Sequence, residues 1–130
     1  MLTLEDTQAA LASIVESLPE EIFLDLNGGV LLKDEVRLHP NRRADDLYIL
    51  GEYHRDRIFG RYIVIYYGSF QRVYEHISDE AFLRELERVV KHELTHHMEN
   101  RAGDRKLEIE DELNLLHYHA SHPITKNDQS

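Results

Sequence analysis

The sequence predicts a single α+β domain, and three observations carry that expectation. A capped amphipathic segment opens the chain, short β-rich runs bounded by glycine occupy its middle, and a long helical pattern with a Ser-Asp start closes it. The chain has 130 residues, the size of one domain, and is long enough to bury a core without staples. Residues 1–120 are expected to form the domain, and the polar stretch 121–130 a frayed tail.

The first helix is expected from about Thr3 to Leu18. Thr3 and Asp6 resemble a capping box, Leu4, Leu11, Ile14, Val15 and Leu18 form the apolar stripe, and Pro19 stops it. Leu26-Asn27-Gly28-Gly29-Val30 is a turn signal. Val30 to Leu38 alternates loosely as a strand with a break at Lys33-Asp34, and Pro40-Asn41 marks a loop. Leu47–Tyr53 and Tyr62–Tyr67 are the clearest strands, the second rich in β-branched and aromatic residues between Gly60 and Gly68. Ser69 to Tyr74 begins a short helix. Ser78 or Asp79 caps a helix running to about Arg101, with Gly103 as its stop, and a last helix is expected from about Arg105 to His117.

Composition narrows the functional classes. With 42% hydrophobic and 31% charged residues the chain is ordinary for a soluble globular protein. There is no cysteine, which excludes disulfides and thiolate zinc sites. Asp plus Glu is 25 against 15 Lys plus Arg, a net charge of −10 that repels phosphate backbones and argues against nucleic-acid binding. The N-terminus is acidic where a signal peptide is basic, and no apolar run approaches a membrane span. The expectation is a cytoplasmic protein with no membrane partner.

Six of the nine histidines lie between His92 and His122. Within them stands His92-Glu93-Leu94-Thr95-His96. Two histidines four residues apart on a helix share one face, about 6 Å apart along the axis, so both imidazoles reach one metal ion. The glutamate after the first histidine is placed to take a proton from a metal-bound water and return it to a leaving amine. A shuffled chain of this composition contains the pattern about 0.07 times, so its context has to decide. On a helical wheel Phe82, Leu83, Leu86, Val90 and Leu94 form an apolar stripe, with His92, His96, Glu85 and Glu99 opposite or beside it and Glu93 at the border. His97 falls inside the stripe and reads as a structural histidine or a support for the ligands.

A catalytic zinc site usually has three protein ligands and one open position. Asp104, after the expected turn at Gly103, is the first candidate for the third. Its competing role is the N-cap of the last helix. Glu99, Glu108, Asp111 and the His117, His119 and His122 group are the alternatives. An imidazole and carboxylate site also accepts nickel, cobalt or manganese.

Leu26–Val30, Leu47–Tyr53, Tyr62–Phe70 and above all His92-Glu93-Leu94-Thr95-His96-His97 make the chain resemble a bacterial family of small zincin-like metallopeptidases, long filed as a domain of unknown function. The resemblance covers residues from about 5 to 115. It implies a minimal zincin fold, with a small mixed sheet packed on the active-site helix between N- and C-terminal helices. It implies one Zn2+ held by His92 and His96, with Glu93 as general base, and a peptide or protein substrate. Better-known relatives carry Phe-Gly after the two histidines and an aspartate soon after. Here the stretch Met98–Asp104 is longer, and Asp104 followed by Leu107 is the best match. The zincin comparison also makes Tyr62–Tyr67 a candidate edge strand for gripping an extended peptide. Tyr62, Tyr66, Tyr67 and Tyr74 are then candidates to stabilise an oxyanion. A non-catalytic metal-binding module is the alternative, and the intact Glu93 favours hydrolysis because a structural site has no use for a base.

Overall fold

The computed structural model describes residues 1–40 and 47–116. It is a mixed α+β structure of three helices and a three-stranded sheet. Helix α1 (Leu4–Ser17) begins as its sequence dictates: Thr3 Oγ1 accepts from the Asp6 amide at 3.1 Å, and Pro19 bars continuation. Its Leu11 and Ile14 enter the core.

Strand β1 (Gly29–Lys33) ends where the sequence breaks at Lys33-Asp34. Strands β2 (Gly51–Asp56) and β3 (Gly60–Tyr66) form an antiparallel hairpin. Its turn is tied by Asp56 Oδ1, which accepts from the Ile58 and Phe59 amides at 2.6 and 3.0 Å, and it is closed by Gly60 at φ 73°. β1 pairs parallel to β3, so the order is β1-β3-β2 with β3 in the centre. The expected strand over Leu47–Tyr53 is thus displaced. Tyr48 makes only an isolated bridge to Leu38, and the strand proper starts at Gly51 and runs on through the polar His54-Arg55-Asp56. Pairing across the hairpin supplies order there that β propensity does not.

The register aligns Val30 with Ile63 and Leu32 with Ile65, so one sheet face is apolar. The long helix α3 (Asp79–Leu116) packs on it with Phe82, Leu86, Val89, Val90 and Leu94. Helix α2 (Tyr67–Val73) contributes the fully buried Phe70. Leu83, expected in the apolar stripe, is 39% exposed, and Val89 takes its place.

α3 corrects two expectations. Ser78 Oγ caps it by accepting from Ala81 N at 3.2 Å, but it neither stops at Gly103 nor restarts near Arg105. One interior glycine costs about 1 kcal/mol of helix propensity. The good helix formers that follow, with the turn at Asp104 tied to the sheet by arginines, outweigh it. Asp104 is therefore an interior helix residue and no N-cap. His117, the expected end of the last helix, and the expected tail lie outside the described residues. Among the described residues, no helix is long and apolar enough to cross a membrane.

Candidate metal centre

The helical period brings His92 and His96 together on the outer flank of α3. Their Nε2 atoms stand 3.1 Å apart, with the rings nearly perpendicular at 86°. Two nitrogens each about 2.05 Å from one tetrahedral ion lie roughly 3.3 Å apart. The bite of this pair suits such an ion. Glu99 Oε1 lies 3.5 Å from His96 Nδ1, on the ring edge away from His92. A carboxylate there orients an imidazole rather than adding a donor beside Nε2.

Glu93 faces inward from the same turn. Gly51, the first residue of the edge strand β2, lets it come this close to the sheet. A Cβ at Gly51 would fall 2.8 Å from Val89 Cγ1 and 3.3 Å from Glu93 Cγ. Glu93 is only 7% exposed, and among the described residues no donor is hydrogen-bonded to its carboxylate. Burial, and then the negative charge of Glu52, push its pKa up to about 7. A carboxylate with that value exchanges protons readily near neutral pH. Over it lies a cavity of about 200 Å3, walled by Tyr48–Gly51 on one side and by Arg88, Val89, His92 and Glu93 of α3 on the other.

His97 is fully buried between sheet and chain. Its Nε2 donates to the Leu24 carbonyl at 2.7 Å, so Nδ1 accepts from the Tyr53 hydroxyl at 2.7 Å. Both nitrogens are used, and burial holds the ring's pKa below the usual histidine range. It is a structural histidine.

Asp104 does not join the imidazoles. It stands about 12 Å further along the helix axis than His96. Its carboxylate is paired with Arg61 and, at 3.4 Å, with Arg55. The expected fold-back over the metal needed a turn at Gly103, and α3 runs straight through. Among the described residues no group of three His, Cys, Asp or Glu side chains gathers in a ligating arrangement. The side chains of Glu108 and Asp111 and all of His117, His119 and His122 fall outside the described set.

Two further expectations are corrected. Strand β3 is central and hydrogen-bonded on both sides, so it cannot grip a peptide. The edge beside the site is β2. Among the tyrosines considered, Tyr66 donates to Glu52 at 2.6 Å, Tyr67 to the Leu2 carbonyl at 2.5 Å and Tyr74 to Glu85 at 2.5 Å, while Tyr62 stacks on His54. None of them lines the cavity, and Tyr48 does. Sequence reasoning missed Tyr48, Gly51, Glu52 and Arg88. Gly51 inside an apolar run was the one available signal, because a glycine in a strand often marks a close approach.

A small α+β domain with a long helix carrying an inward glutamate between two convergent histidines is the class that the fold and site define. No family model and no curated protein matches the chain. A solved structure does: the chain is similar to a conserved hypothetical protein from Thermus thermophilus, with 30% identity and a TM-score of 0.66 over 78% of this chain and 99% of the other. The chain belongs to the family of that protein.

Proposed function

We propose that the protein is a zinc-dependent peptidase of the zincin type, with His92 and His96 holding the ion and Glu93 acting as general base. The observation that carries this reading is the 3.1 Å convergence of two imidazole Nε2 atoms beside a buried glutamate that has no hydrogen-bonded donor among the described residues. When bound, the ion polarises a carbonyl and lowers the pKa of water. Glu93 takes a proton from the attacking water, holds it on a carboxylate oxygen and delivers it to the departing amide nitrogen. Its pKa near 7 suits both halves of that exchange. The outer edge of β2, which pairs with no other strand among the described residues, accepts the substrate backbone in extended form, with a scissile bond against the cavity. A cavity of this size suits peptides and exposed loops, and we place the protein in the cytoplasm.

Elemental analysis of the purified protein tests the metal: about one zinc per chain is expected, lost in His96→Ala. Glu93→Gln should keep the zinc and lower the hydrolysis of a peptide library by about a hundredfold or more. Unchanged hydrolysis in Glu93→Gln, or no zinc uptake by the wild type, overturns the reading. Zinc uptake without any hydrolysis replaces it with a non-catalytic metal-binding module.

A further inference from the structure

Arg88 stands one helical turn before His92 and lines the same cavity. The side chain is held from behind. Its Nε donates to Glu85 Oε1 and Oε2 at 3.2 and 3.1 Å, and the Tyr74 hydroxyl donates to the same Oε1 at 2.5 Å. Arg88 and Tyr74 together hold the Glu85 carboxyl below its usual range, so it stays an anion that fixes the guanidinium. These contacts engage Nε, the guanidinium also meets the Tyr74 hydroxyl, and a fork of five N–H donors has more to offer than these two partners take. A guanidinium fixed in this way is pre-organised for a planar anion, above all a carboxylate.

The surroundings set the direction. In a chain of net charge −10 the general field repels carboxylates, and Glu93, which feels the charge of Glu52, stands at the far end of the cavity. An acidic ligand is therefore oriented with its carboxylate toward Arg88 and its neutral part toward Glu93. Arg88 and Glu93 are five helical residues apart, a rise of about 7.5 Å, and an extended peptide advances about 3.3 Å per residue, so the two ends of the cavity are about two residues apart.

We infer that Arg88 is a specificity residue that binds a peptide carboxylate about two residues from the bond on which Glu93 acts. The position of that bond rests on the peptidase reading; the carboxylate site does not. A free C-terminus and an Asp or Glu side chain share this chemistry.

The test uses the full chain and three acetylated tripeptides: trialanine with a free C-terminus, trialanine amide, and the amide with glutamate at the third position. Binding is read on metal-free protein from the arginine side-chain Nε–H resonances, and cleavage on zinc-loaded protein. At least one carboxylated peptide is expected to bind about tenfold tighter than the neutral amide, the value of one charge-assisted hydrogen-bonded pair. The peptide that does so identifies the source. Arg88→Gln should abolish the preference with little change for the neutral amide, and Arg88→Lys should keep part of it. The side chain is 56% exposed, so both variants should fold. An equal preference in Arg88→Gln, or none in the wild type, overturns the inference. An Arg88-dependent preference in a chain that cleaves no peptide supports the carboxylate site and counts against the peptidase. Cleavage without the preference does the reverse.

Discussion

Glu93 and His97 sit one turn apart on the inner side of α3, both almost without solvent contact, and both ionisable. His97 has a partner for each ring nitrogen, from Tyr53 and Leu24. Glu93 has no hydrogen-bond donor among the described residues and faces a cavity with a second carboxylate, Glu52, nearby. A buried polar group that is fully bonded adds rigidity, whereas a carboxylate bordering a cavity with no bonded donor has its charged form disfavoured by burial. The pair shows how one helix face turns to the core at one position and to a cavity one turn away.

The largest expected effect that would break this comparison is on His97. His97→Ala opens a void and strands the Tyr53 hydroxyl and the Leu24 carbonyl, so it should cost about 3 kcal/mol and lower Tm by about 10 °C. Thermal unfolding checks it, and a loss under about 1 kcal/mol would mean that the two bonds are not structural.

Gly51→Ala comes next. The added methyl overlaps Val89 and presses on Glu93, so about 2 kcal/mol of stability should be lost, together with a fall in peptide hydrolysis. Denaturant unfolding and an activity assay, run together, check both arms. Full stability and activity in this variant would show that β2 and α3 are not in tight contact.

Glu93→Gln should act in the opposite direction to His97→Ala. The pKa of Glu93 rises from its ordinary 4.5 to about 7 on folding, so its contribution favours the fold below pH 4.5 and is lost as pH rises through 7. Metal-free Glu93→Gln should thus be about 1–2 kcal/mol more stable than wild type at pH 8, and gain nothing at pH 4. His97 has the reverse sign. Its pKa is lowered by burial, so the stability it confers is present above 6.5 and is lost as pH falls through its depressed value. A Tm profile of wild type between pH 8 and 4 should accordingly weaken at both ends. Each limb should flatten when the corresponding residue is replaced.

The smallest effect is expected at Asp104. Asp104→Asn weakens partly exposed ion pairs to Arg61 and Arg55 and should cost no more than about 1 kcal/mol. Zinc content should stay at the wild-type level. Loss of zinc in this variant would restore Asp104 as a ligand and require α3 to bend near Gly103.

Much of this arrangement is legible one segment at a time. Thr3 and Ser78 mark their helix starts because a hydroxyl at that position caps amides within three residues. His92 and His96 converge because an i, i+4 pair meets on any helix. His97 reads as a core residue because its angle on the wheel falls with Leu86, Val90 and Leu94. Asp104 misled because a glycine is a statistical stop signal, while continuation of the helix past Gly103 depends on what the next turns touch.

The local code determined the α+β class, the capped helices and the spacing of the two histidines, since these need only neighbours along the chain. Tertiary structure alone decided that β3 is central and β2 the edge, because strand order follows from which apolar faces can be buried together. It also decided that Asp104 meets Arg61, that Glu93 lies under Gly51, and that Arg88 shares its cavity. Those relations join residues far apart in sequence, and only packing of the helix on the sheet sets the distances between them.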